Sequence, residues 1–273
     1  MNSDPINKKE MQRIAWPIRQ SNKFERYLRK NLSSYQQLAR AGNADAQFCL
    51  GYIYDTRCGV QSDVVRAISW YKKAAANGHL SAQYNLGQLY AETKGKRKSL
   101  RKAVVFWRLA ASNGNSKALC NLGVAYEKGA GVRRNFRRAF TFYQKAAARS
   151  DYLAKYNLGR CLANGIGVKV NKRKANSWFK KAIRGLASAA RSGNPDAQTV
   201  FATSLRNGWA VKKNYSEAVK WYRKAAKQGE SWAKFCLGLC YKDGEGVGKS
   251  NLIARRYFKE AAAGVREAKS ELR

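Results

Sequence analysis

A single histidine, His79, serves the whole 273-residue chain, and acidic residues are scarce: 17 Asp and Glu against 54 Lys and Arg, a formal net charge of +37. One imidazole excludes histidine-based acid–base pairs and metal clusters. No ordered pair of carboxylates stands in for them, so no catalytic residue, metal ligand, cofactor or small-molecule substrate is expected. Six cysteines are present (Cys49, Cys58, Cys120, Cys161, Cys236, Cys240). They do not recur as a pair at fixed positions, which excludes a disulfide-stapled secreted array and points to buried thiols in a reducing compartment. Cys236 and Cys240 share a helix face, yet two thiols without further ligands make a poor metal site. Long apolar runs are missing too: residues 1–20 (MNSDPINKKEMQRIAWPIRQ) contain none that could act as a signal peptide or membrane span. The expectation is an intracellular, cytoplasmic protein, with nucleus or virion as alternative settings.

What the chain does have is a period. Gly42, Gly78 and Gly114 are 36 residues apart, Ser150 takes the next place, and the beat resumes at Gly193 and Gly229. The blocks run over about 43–78, 79–114, 115–150, 151–193, 194–229 and 230–264. A fixed period of this size is the mark of a solenoid, in which each unit buries its apolar face against its neighbours. The first half of each block reads as a helix A, for example AQYNLGQLY at 82–90, with Ala82, Leu86 and Tyr90 at helical spacing. Mid-helix glycine costs about 1 kcal/mol relative to alanine. Its return at Gly51, Gly87, Gly123, Gly159 and Gly238 predicts that a neighbouring helix packs hard against the backbone there, with Ala202 still small enough in the fifth block. The second half opens on Asp63, Ser99, Asn135, Asn171, Asn214 or Ser250, all good N-caps. A helix B follows, with aromatic pairs such as Trp70-Tyr71 and Trp221-Tyr222 as core. No strand pattern competes.

These residues resemble the Sel-one-like repeat, a relative of the tetratricopeptide repeat. The pattern A-x-A-Q-x-x-L-G-x-x-Y, then G-x-G-V, then D-x-x-K-A-x-x-W-x-x-K-A-A-x-x-G, matches residues 79–90, 115–147 and 194–229 closely. The resemblance covers about 43–264. It implies an all-α fold, a right-handed α-solenoid of about six 36-residue helix-turn-helix repeats with partial capping helices, serving as a scaffold or adaptor that holds other proteins. The second block departs from the pattern with Lys94-Gly95-Lys96 and the fifth with Gly208-Trp209-Ala210-Val211. The fourth carries seven extra residues around 184–192, about two helical turns, expected to lengthen helix B and to bend or offset the array. Residues 1–22 are expected to be a flexible basic tail and 23–42 a capping helix, with Tyr35 seven before Gly42 as Tyr71 is before Gly78. Residues 265–273 begin a seventh helix A and stop.

The charge is concentrated. Residues 93–102 hold six cations and no acid, and residues 128–195 hold 17 cations against the single acid Asp151. A polyanion is the partner class this implies. The repeat register puts Arg97, Lys98, Arg101 and Lys102, then Arg133, Arg134, Arg137 and Arg138, then Lys169, Arg173 and Lys174, then Lys212 and Lys213, in the hinge and first turn of successive B helices. They are expected to form a ridge. Cations there oppose the helix dipole, whereas an anion would be favoured by dipole and side chains alike. The family's Asp at the cap is kept only as Asp63 and elsewhere becomes Asn or Ser, which preserves capping and removes negative charge. The leading expectation is nucleic acid bound through its phosphates without sequence readout; the alternative is a protein adaptor with an acidic partner. A second column, Asn85, Asn121 and Asn157 with Arg160 nearby, lies on helix A, the concave face in relatives. It would hold the backbone of an extended peptide or bond to the neighbouring repeat. Residues 243–250 (DGEGVGKS) imitate a phosphate loop, but no strand precedes them and the register makes them the sixth block's hinge.

Overall fold

The computed structural model describes residues 30–56, 61–93, 99–149 and 151–272. The expected 1–22 tail, the 23–29 start of the expected capping helix, Cys58, the Lys94-Gly95-Lys96 hinge, and Arg97 and Lys98 of the expected basic ridge lie outside the described residues. Among the described residues there are fourteen helices and no strand. A capping helix α1 (Leu32–Arg40) precedes six A/B pairs. These are α2 (Ala44–Thr56) with α3 (Val64–Ala76), α4 (Leu80–Glu92) with α5 (Leu100–Ser112), α6 (Ser116–Lys128) with α7 (Phe136–Ala148), α8 (Tyr152–Asn164) with α9 (Lys172–Arg191), α10 (Pro195–Asn207) with α11 (Tyr215–Lys227), and α12 (Ser231–Asp243) with α13 (Asn251–Ala261). A five-residue α14 (Arg266–Ser270) closes the chain. The fold is an all-α solenoid of six repeats, as the period predicts. The helices divide into an N-terminal unit, residues 1–146, and a C-terminal unit, residues 147–273.

Short-range chemistry fixes where the helices begin and end. The six predicted B-helix caps all act as such: Asp63, Ser99, Asn135, Asn171, Asn214 and Ser250 accept backbone N–H groups of their first turns. Every A helix is capped as well, by Asn43, His79, Asn115, Asp151, Asn194 and Glu230. Five of the junctions turn on a single glycine of positive φ. At Gly78 (φ +80°), the glycine N–H donates to Ala75 O and the next N–H, of His79, to Ala74 O, which closes the B helix in a Schellman motif. His79 then serves as N-cap of α4, so one residue ends a helix and starts the next. Gly42, Gly114, Gly193 and Gly229 repeat the arrangement.

The mid-helix glycines seat the aromatic of their own repeat's B helix. A Cβ on Gly51 would lie 2.4 Å from the Tyr71 ring, on Gly123 2.5 Å from Tyr143, and on Gly238 2.4 Å from Phe258. Tyr71, Tyr143 and Tyr222 are fully buried, and each hydroxyl has a partner: Asp55 and Asn85 for Tyr71, Glu127 for Tyr143, Thr203 for Tyr222. Trp107 occupies this seat in the second repeat, where Ala91 stands in place of Asp55 or Glu127, and its indole N–H has no partner among the described residues. A buried glutamine ties repeats together. Gln47 donates to Ala39 O and accepts from Asn77; Gln83 accepts from Asn113; Gln198 donates to Ala190 O and accepts from Gln228. These bonds satisfy buried polar groups that would each cost about 1–3 kcal/mol unpaired.

Tyr35 is buried in a core with Ala46, Leu50 and Ile53, and Val265 and Ala268 close the other end against Phe258. The fourth repeat's seven extra residues lengthen its B helix to 20 residues against the usual 13.

Candidate functional site

In the N-terminal unit, the cations at the B-helix starts meet tyrosines at the ends of the A helices. Arg66 lies over Tyr54 at 5.5 Å from its ring centroid, Lys102 over Tyr90 at 5.5 Å and Arg138 over Tyr126 at 5.7 Å. The register dictates this: each cation is twelve residues after its tyrosine, across one hinge. The previous repeat's B helix supplies the other wall. Arg108 of α5 reaches forward and donates from Nη2 to the Tyr126 hydroxyl at 2.8 Å. Arg108, Tyr126, Val132, Arg133, Arg134, Asn135 and Arg138 line one open cleft of about 520 Å³. Burial raises the Tyr126 phenol, but the hydrogen bonds and charges of Arg108 and Arg138 outweigh this and leave it below its ordinary value. The four arginines are exposed, and among the described residues none forms an ion pair with a carboxylate.

An equivalent groove two repeats earlier makes an internal reference. Gln36, Arg40, Tyr54, Arg66, Ser69, Trp70 and Lys73 line a cleft of about 360 Å³. Here Gln36 stands where Arg108 does, 72 residues on, and the cap is Asp63, whose carboxylate lies 3.4 Å from Arg66 Nε. Asp63 thus neutralises the arginine that Asn135 leaves uncompensated.

The other ridge residues fall into place by unit. Arg101 and Lys102 are exposed in the first turn of α5, and Arg137 in that of α7; Arg134 also lies 5.3 Å from the Phe136 ring. In the C-terminal unit Lys169, Arg173, Lys174, Lys212 and Lys213 are exposed, and Lys213 Nζ donates to the Tyr215 hydroxyl at 3.2 Å. Tyr241 there accepts from Arg223 at 2.8 Å as Tyr126 does from Arg108, but Ile253 holds the place of Arg138. The helix A column spends its amides internally: Asn85 Nδ2 donates to the Tyr71 hydroxyl at 3.4 Å and Asn121 Nδ2 to Gln88 Oε1 at 2.6 Å. Asn157 and Arg160 are half-buried and engaged as well.

Arg108 and Tyr126 escape a reading confined to hinges and first turns. Their signal is in the sequence, since Arg108 lies 36 residues after Lys72 in the same column, but only stacking of one B helix on the next A helix gives that column a partner.

Among the described residues no group of three His, Cys, Asp or Glu side chains could hold a metal. Cys49, Cys120, Cys161, Cys236 and Cys240 are buried, and burial pushes the Cys49 and Cys236 thiols up to about 12 and Cys240 to about 11. The phosphate-loop imitation is a hinge: Asp243 ends α12, Glu245 pairs with Arg206, and Ser250 caps α13. No helix among the described residues is long and apolar enough to cross a membrane.

Six copies of the Sel1 repeat model match residues 44–79, 80–115, 116–151, 153–185, 196–230 and 233–264. The chain belongs to the Sel1 repeat family. No curated protein matches it. Among solved structures, a Sel1 repeat protein from Oxalobacter formigenes is 28% identical with a TM-score of 0.57, over 87% of this chain and 95% of that one. A protective antigen of uropathogenic Escherichia coli with an SLR fold is 29% identical with a TM-score of 0.55. That match takes in 89% of this chain but only 50% of the antigen, so the Sel1 array described here spans half of that relative's length. A Sel1 repeat protein from Klebsiella pneumoniae, at 20% identity and a TM-score of 0.50, shares the fold.

Proposed function

We propose that this Sel1 repeat protein is a non-enzymatic scaffold that binds an acidic protein partner along the cationic starts of its B helices. Membership of the family supports a protein partner, because these arrays act as interaction scaffolds. The observation that carries the sign of that partner is the cleft of Arg108, Arg133, Arg134 and Arg138, exposed and without a carboxylate among the described residues. Such charges repel one another in the free protein and favour association with an anion. Arg101, Lys102 and Arg137 extend the surface in the N-terminal unit; Lys169, Arg173, Lys174, Lys212 and Lys213 give the C-terminal unit its own basic face. Asn85, Asn121, Asn157 and Arg160 act mainly within the array on this reading.

A second reading, nucleic acid, is favoured by the 17-to-1 excess of cations over acids in residues 128–195. One experiment separates the two. Nuclease-treated protein is titrated with polyglutamate, and with single- and double-stranded DNA and RNA, between about 50 and 200 mM salt, beside a variant with Arg133, Arg134, Arg137 and Arg138 changed to Gln. Polyglutamate binding lost in the variant is the expected result. Nucleic-acid binding alone, falling by about 10³–10⁵ over that salt range as release of six to ten counterions requires, would replace the first reading by the second.

A further inference from the structure

The groove between α5 and the start of α7 differs from its counterpart in the first repeat in a way that narrows what it can hold. Both place a tyrosine from the end of helix A between a cation of the same repeat and a residue of the previous B helix. In the first groove these are Arg66 and Gln36, and Asp63 neutralises the arginine at 3.4 Å. In the third they are Arg138 and Arg108, with Arg133 and Arg134 added from the hinge, and the cap is the neutral Asn135. Capping does not require this change, because Asp and Asn cap about equally well. Stability is not served by it either, since cations at a helix N-terminus oppose its dipole.

Resting on the acidic-partner reading above, we propose that this groove receives a phosphate monoester carried on a side chain of the partner protein. Four guanidiniums on one cleft offer more charge and more directed N–H groups than a carboxylate can use. A phosphate monoester brings a charge of about −1.5 to −2 and three strong acceptor oxygens, and guanidinium forks match it two bonds at a time. A phosphodiester backbone spreads one charge per residue along its length and calls for spaced cations rather than four on a single cleft. Arg108 is already oriented by its bond to the Tyr126 hydroxyl, so part of the ordering cost is met before the ligand arrives.

The test uses the full chain and a labelled Gly/Ser peptide with one central phosphoserine, read by fluorescence anisotropy at about 150 mM salt. The comparison peptides carry Ser or Glu at that position. The expected result is binding of the phosphopeptide at least about tenfold tighter than the Glu peptide. Arg133→Gln/Arg134→Gln and Arg108→Gln should each weaken it about tenfold or more. Lys212→Gln/Lys213→Gln, which removes the same charge elsewhere, should change it less than about twofold. Asn135→Asp is the most telling variant, because it restores the first groove's carboxylate and keeps the cap: affinity should fall about tenfold while the melting temperature holds or rises. Equal binding of the Glu peptide, equal losses in the hinge and Lys212/Lys213 variants, or an Asn135→Asp variant that binds as well as the parent would each overturn the proposal. Polyglutamate binding that survives without phosphopeptide binding sinks this inference alone; loss of both sinks the acidic-partner reading with it.

Discussion

The two units use their cations differently. In the C-terminal unit carboxylates hold several of them, while Lys169, Arg173, Lys174, Lys212 and Lys213 stay exposed: Arg206 lies 2.5 Å from Glu245 and 3.5 Å from Asp243, Lys234 3.1 Å from Glu260, and Lys242 2.7 Å from Glu271. In the N-terminal unit the arginines of the third repeat's groove have no such partner among the described residues, and one of them is anchored on a phenol instead. The repeat architecture is the same in both, with the same caps, glycine seats and glutamine ties. The scaffold therefore does not decide the fate of the charge; the few acids placed at hinges and helix ends do. Where Glu245 fills a hinge, Arg206 becomes structural, and where Ala130 holds the equivalent place in the third repeat, the groove arginines remain available.

The largest expected effect tests whether the scaffolds are equivalent. Gly131 (φ +76°) and Gly246 (φ +73°) sit in hinges of different units, and a Cβ on either would meet the backbone of the preceding repeat's B helix, at 2.3 Å from Leu100 O and 2.4 Å from Tyr215 C. Alanine at either position should cost about 2–4 kcal/mol in urea titrations, from the left-handed φ and the overlap together. A large cost at only one would break the equivalence. Next, Arg206→Gln should destabilise by about 1–2 kcal/mol, because it leaves Glu245 half-buried and unpaired. Arg133→Gln/Arg134→Gln should change stability by less than about 0.5 kcal/mol. Comparable losses in both would mean that the groove arginines also serve the fold.

The A-helix caps give the units opposite responses to pH. His79 Nδ1 accepts the Ala82 N–H at 3.1 Å while the ring stacks on Phe48 and Nε2 faces Asp45. Burial lowers its pKa below the ordinary 6.5, against the opposing pull of Asp45. The unfolded chain therefore takes up the proton first, so this contribution is complete above about pH 6.5 and is lost as pH falls towards the folded value. Glu230 in the C-terminal unit is raised, chiefly by burial, and its contribution is present below its ordinary 4.5 and lost as pH rises through the folded value. Thermal melts between pH 4 and 8 should show His79→Asn, which keeps the cap, removing a loss of about 1 kcal/mol on acidification; Glu230→Asn should remove a change of the opposite sign. A small effect concerns Ala210, among the described residues the positive-φ residue other than glycine (φ +59°), in the fifth repeat's hinge. Ala210→Gly should stabilise by about 0.5 kcal/mol, as relief of the left-handed strain exceeds the added freedom of the unfolded chain.

The sequence by itself determined the repeat number, the B-helix caps, the lengthened fourth B helix and the aromatic core, because each rests on chemistry within a few residues and recurs every 36. It also located the exposed cations and the change of Asp63 to Asn135 two repeats later. What it left dark are contacts made across the stack. The mid-helix glycines announce a close neighbour, but only the packed structure shows it to be the aromatic of the same repeat. Two A-helix caps, His79 and Glu230, are unusual cap types and become evident only when the Schellman turn places their side chains over the next helix. Arg108, 18 residues from Tyr126, joins the groove because one repeat's B helix lies against the next repeat's A helix. Only that tertiary stacking, which brings residues of different repeats within hydrogen-bond reach, decided which cations share a site and which are neutralised.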